Sequence, residues 1–128
     1  MILGTVNSDL QAMIQLTIHG SRNDTQDIDA MVDTGLNGWL TLPSEIIDRL
    51  QLHYYSRGRA ELADGSQRAF DVFEANVNWD GAVRRILVYH ADAEPLIGME
   101  LLSGYRLKID VEHEGAVTIQ RLVELTRS

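Results

Sequence analysis

The chain has 128 residues with 11 Lys+Arg against 19 Asp+Glu, a formal net charge of −8 at pH 7. A chain of this length buries roughly two thirds of its unfolded surface, which supports one core, so a single domain over residues 1–128 is expected. The acidic balance argues against nucleic acid or an anionic membrane as partner, because both are held by clustered Lys and Arg, and the lack of cysteine excludes disulfides, thiolate metal sites and cysteine nucleophiles.

Met1 to Asp9 has no basic leader and its apolar start is soon broken by polar residues, so it is not read as a secretory signal. No apolar run approaches the roughly 18 residues of a membrane-spanning helix, and a soluble cytoplasmic protein is expected. Ile14, Leu16 and Ile18 alternate with polar residues, the period of a half-buried strand, before a turn through His19 to Asp24. Ile28, Ala30 and Val32 form a second such pattern running into Asp33-Thr34-Gly35. Trp39 to Leu42 predicts a short strand stopped by Pro43, and Ser44 is expected to cap a brief helix carrying Ile46, Ile47 and Leu50 on one side.

Two Asp-Gly pairs, Asp64-Gly65 and Asp80-Gly81, predict hairpin turns because both residue types tolerate positive φ. Phe73, Ala75, Val77 and Trp79 lead into the second turn, and Ile86 to Val88 leaves it. Tyr105, Leu107, Ile109 and Val111 alternate with charged residues, turn at Glu114-Gly115 and return through Val117 and Ile119, a third hairpin. Many short strands with regular turns and one or two short helices predict an all-β barrel or sandwich.

The chemistry gathers at two segments. Asp33-Thr34-Gly35 closes an apolar strand and is followed by Leu36-Asn37-Gly38; Pro95-Leu96-Ile97-Gly98 runs into Met99 to Leu102, with Gly104 as a helix stop. On its own an Asp-Thr-Gly is an ordinary Asp-initiated turn. Together, an apolar strand into Asp-Thr-Gly, a hairpin-rich middle, and apolar-apolar-Gly before a short helix resemble the retropepsin-like aspartic proteases, in particular the small single-domain bacterial members of that clan. The resemblance extends from about Ile14 to Ile119.

The resemblance implies a small closed β-barrel and peptide-bond hydrolysis by a water molecule set between two carboxylates. Two carboxylates that close share one proton, because like charges cannot both ionise there. The chain holds a single Asp-Thr-Gly, so the second Asp33 is expected from an identical chain across a two-fold axis, making the active form a homodimer acting on a peptide or protein substrate. Thr34 is expected to brace the two loops through its hydroxyl, Gly35 to allow close backbone approach, and Ile97 and Gly98 to pack behind the loop. Leu36 stands where related enzymes carry a hydroxyl or a small residue, so the dyad receives fewer hydrogen bonds and activity is expected to extend to milder pH. Ala63-Asp64-Gly65-Ser66 falls where the family carries its flap, a hairpin that closes over an extended substrate.

The remaining features receive structural readings. His19, His53, His90 and His113 lack metal spacing, including the pair His90 and Asp92, and neither a metal nor another cofactor is expected. Arg84-Arg85 reads as exposed strand with salt partners, Trp39 and Trp79 as core or interface, and the acidic stretch from Asp24 as a solvated face. The competing function is a catalytically silent dimeric module that binds peptides with the same fold. An Asp at the two-fold axis favours the enzyme, because two facing carboxylates carry a repulsive cost that binding alone does not require.

Overall fold

The computed structural model describes residues 1–123 and consists mainly of antiparallel strands. In chain order these are β1 (Ile2–Val6), β2 (Ala12–His19), β3 (Thr25–Val32), β4 (Leu40–Leu42), α1 (Ser44–Leu50), β5 (His53–Glu61), β6 (Gln67–Trp79), β7 (Ala82–His90), β8 (Leu96–Ile97), α2 (Met99–Leu102), β9 (Tyr105–Ile109) and β10 (Ala116–Arg121). They lie in the order β5-β6-β7-β4-β8-β3-β2-β1-β10-β9, and a further pairing joins β6 to β2. Ile18 opposite Val77 and His19 opposite Asn76 make that join, returning the sheet on itself as a ring from β2 through β3, β8, β4, β7 and β6.

The alternation read from the sequence sets the inside of this ring. Ile14, Leu16 and Ile18 of β2 face inward with Ile28 and Ala30 of β3, Ala75 and Val77 of β6, and Ile86 and Val88 of β7. Their polar neighbours point outward, as a period of two requires. Trp79 is buried in the same core, while Trp39 is half-buried against it. The Asp80-Gly81 turn has φ of 51° and 83° at its two residues, the left-handed pair that favours Asp-Gly.

Several local expectations are corrected. Ser44 is the first helical residue of α1, not its cap; Pro43 holds the cap position without a side-chain hydrogen bond, and its carbonyl accepts from the Ile46 and Ile47 N–H groups at 3.2 and 3.3 Å. Val111 lies beyond the end of β9 and is exposed, because the backbone turns early, with Asp110 N–H donating to the Ala116 carbonyl. Arg85 does pair with Glu74, but Arg84 instead lays its guanidinium over the Trp39 ring, 4.9 Å from the centroid.

β1 lies between β10 and β2 in the same chain, and β10 pairs onward to β9. The terminal stretch Val117 to Leu125 reaches beyond the described residues at its end. Among the described residues no helix is long and apolar enough to cross a membrane.

Candidate active site

Asp33 follows directly on β3, and its position is set by β8. Met31 and Val32 pair in parallel with Leu96 and Ile97, and the antiparallel partners of Leu96 and Ile97 on the other side are Thr41 and Leu40 of β4. A two-residue strand thus separates the strand entering the Asp33 loop from the strand leaving it. The ladder continues one residue further, with Asp33 N–H donating to the Ile97 carbonyl at 2.9 Å. Ile97 itself is fully buried, so the backbone of Asp33 is anchored to a core residue.

The loop is then closed by its own backbone. Leu36 N–H donates to the Asp33 carbonyl at 3.1 Å, and Gly35 N–H donates to Asp33 Oδ1 at 2.9 Å, which fixes the carboxylate as well as the main chain. Gly98 N–H donates to the Trp39 carbonyl at 3.0 Å, Met99 N–H to Leu36 at 2.8 Å and Glu100 N–H to Gly38 at 3.1 Å. The first N–H groups of a helix have no partner within it. Here the opening of α2 spends them on the carbonyls of the Asp33 loop.

This packing leaves no room for a side chain at Gly98. A Cβ there would stand 2.1 Å from the Gly38 carbonyl oxygen and 2.9 Å from Leu36 Cγ. At Gly35 the nearest atom in the same chain would be Asp33 Oδ1 at 3.2 Å. The Leu36 side chain packs toward Gly98, while Thr34 and Gly35 are exposed and Asp33 is half-buried at the surface.

The structure therefore brings Asp33, Thr34, Gly35, Ile97 and Gly98 into one assembly. Ala63, Asp64, Gly65 and Ser66 lie in the turn joining β5 to β6, with Gly65 at φ 85°. Two residues of the assembly were given no role in the sequence reading. Thr41 is buried, its hydroxyl accepting from Leu96 N–H at 3.1 Å and tying β4 to β8; Gly38 offers the carbonyl that crowds Gly98. A polar residue between two leucines before a proline was a usable hint for Thr41, since a buried hydroxyl needs a partner.

Surface cavities of about 380, 570 and 300 Å³ among the described residues do not include Asp33, Thr34, Gly35, Ile97 or Gly98 in their linings; the first is lined by His19, His53, Glu74 and Arg85 among others. Among the described residues no group of three or more His, Cys, Asp or Glu is placed to hold a metal ion.

No family model matches the chain, and no curated protein matches it in sequence. Its fold, by contrast, has solved counterparts. A retropepsin-like aspartic protease from Rickettsia conorii superposes with a TM-score of 0.62 at 19% identity, over 94% of this chain and 89% of that one. EIAV protease complexed with the inhibitor HBY-793 superposes with a TM-score of 0.55 at 15% identity, over 77% of this chain and 90% of that one. Closed ring, short β8 between the arms of the Asp33 loop, and solved neighbours agree, and the chain has the retropepsin-like all-β fold.

Proposed function

We propose that the protein is an aspartic endopeptidase whose active form is a homodimer of one-domain chains, each contributing Asp33. The observation that carries this reading is the doubly held Asp33. Its main chain is bound to buried Ile97 and its Oδ1 to Gly35 N–H, yet the residue stays at the surface. A carboxylate oriented by backbone groups and presented outward supplies half of a two-carboxylate site, and an isologous contact supplies the other half.

In such a pair one carboxylate takes a proton from water as that water attacks the peptide carbonyl carbon. The other, protonated, donates a hydrogen bond to the carbonyl oxygen as negative charge develops there. In this reading Thr34 braces the two loops beside the two-fold axis, and the hairpin around Ala63, Asp64, Gly65 and Ser66 covers an extended peptide. The substrate is a peptide or protein, and neither metal nor other cofactor enters the reaction.

Digestion of casein or a peptide library between pH 4 and 7, with Asp33→Asn and pepstatin as controls, tests the proposal. Cleavage abolished by both supports it. Cleavage that survives Asp33→Asn overturns it, and a complete lack of cleavage with peptide binding retained supports the silent binding module instead.

A further inference from the structure

The hairpin of β5 and β6 extends far from the core. Every residue from Arg59 to Ala69 is exposed, and among the described residues β5 has β6 as its one neighbour in the sheet. Its outer half nevertheless has an anchor. Val72 is 4% exposed but does not belong to the main core, because alternation turns it to the face opposite Phe73 and Val88. Its cross-strand partner on that face is Tyr89 of β7, and two residues nearer the tip on the same face lies Phe70. The Phe70 and Tyr89 rings meet with centroids 4.9 Å apart, tilted by 49°.

Both rings are seated in glycines. A Cβ at Gly58, directly opposite Phe70, would fall 2.6 Å from Phe70 Cε2 and Cζ. A Cβ at Gly38 would fall 2.3 Å from Tyr89 Cε2. Neither glycine has the positive φ that would demand the residue for backbone reasons. Each is explained by the ring that occupies its missing side chain. The contacts therefore run without a gap from the hairpin through Gly58, Phe70, Tyr89 and Gly38 to the loop that carries Asp33.

We propose that the Phe70–Tyr89 pair, notched into Gly58 and Gly38, is a brace that sets the position of the β5–β6 hairpin relative to the Asp33 loop, with Phe70 and Tyr89 as positioning residues. The loop end of the brace is fixed, because the Gly38 carbonyl also accepts from Glu100 N–H. Beyond Val72, where β6 leaves its ladder with β7, the hairpin has no strand partner outside itself among the described residues, so ring contact is what opposes its swinging. The mechanical claim stands on these contacts; its consequence for substrate rests on the proposed function, since a cover that loses its height binds an extended peptide less well while Asp33 stays in place.

Amide hydrogen exchange of the full chain tests the brace without depending on turnover. In Tyr89→Ala, amides of residues 56–60 and 68–71 are expected to exchange at least about tenfold faster, those of Ile18 and Val77 in the ring to stay as they are, and Tyr89→Phe to restore the hairpin rates. Gly58→Ala, which dislodges Phe70 from the other end, should give the same regional pattern. Unchanged hairpin exchange in both variants overturns the brace, and so does equal acceleration throughout the ring, which reports lost global stability. With a cleavable peptide, KM should rise in Tyr89→Ala more than kcat falls. An inactive wild-type chain would sink the proposed function and leave the exchange result to judge the brace.

Discussion

The Asp33 loop and the turn from Leu62 to Ser66 are both short, polar and glycine-bearing, yet they are built in opposite ways. The first is held from outside itself. β8 and the start of α2 both bond to it, and its contacts span more than sixty residues of sequence, from Asp33 to Ile97. The second is held only by its own atoms: Leu62 N–H donates to the Ser66 carbonyl at 2.7 Å, Gly65 N–H to Leu62 at 2.9 Å, and the Ser66 N–H and hydroxyl to Asp64 Oδ1 at 2.9 and 2.6 Å. One fixes a carboxylate against the core, and the other keeps its shape wherever the hairpin carries it. Under the proposed function that is the division of labour required: a preorganised reactive group and a cover that keeps its own shape.

The largest expected effect comes from the fixed region. Asp33→Asn should lower turnover by at least about 1000-fold, some 4 kcal/mol of transition-state stabilisation, with circular dichroism and melting temperature nearly unchanged. Gly98→Ala should cost about 3 kcal/mol in denaturant unfolding, because the new methyl meets a backbone carbonyl that α2 holds in place. A Gly98→Ala chain as stable as wild type would mean that the loop is softer than its bonding implies.

The hairpin turn should respond differently. Gly65→Val places a branched side chain at φ 85°, where a Cβ meets no atom within 4 Å, so backbone strain of about 1–2 kcal/mol is the whole local cost. Turnover should fall more than stability does; the reverse would assign the hairpin a purely structural role. The smallest effect is electrostatic. The Ser66 hydroxyl, followed by the Ser66 N–H, holds the Asp64 carboxyl below its ordinary value of 3.8. A lowered folded-state value means the turn is stabilised above about pH 4, and the contribution is lost as pH falls through the folded value. A carbonyl-carbon NMR titration should place the Asp64 midpoint below 3.8 and return it toward 3.8 in Ser66→Ala; an equal midpoint in the two chains would contradict the hydrogen-bond origin.

The same contrast explains what could be read in advance. β2, β3 and the β9–β10 hairpin were legible because burial on one face writes a period of two into Ile14-Leu16-Ile18 and Val117-Ile119. The turn chemistry of Asp80-Gly81 and the stop at Gly104, with φ 88°, were legible because they are local. β8 was not, since two residues carry no period; it is a strand because β3 and β4 lie on either side of it. β5 reads weakly because most of its side chains face solvent, so no alternation marks it. Asp33, Gly35, Ile97 and Gly98 were singled out through a motif resemblance, whereas Gly38, Gly58 and Thr41 acquire their contacts only from atoms brought in by the fold.

The central claim is that one site needs two copies of Asp33, and subunit mixing tests it most directly. Wild-type chain re-equilibrated with a ninefold excess of Asp33→Asn should lose activity to about one tenth per wild-type chain, because most wild-type subunits then pair with an inert partner. Activity per wild-type chain that stays constant across the mixing series would mean that a single chain carries a complete site, and would contradict the account.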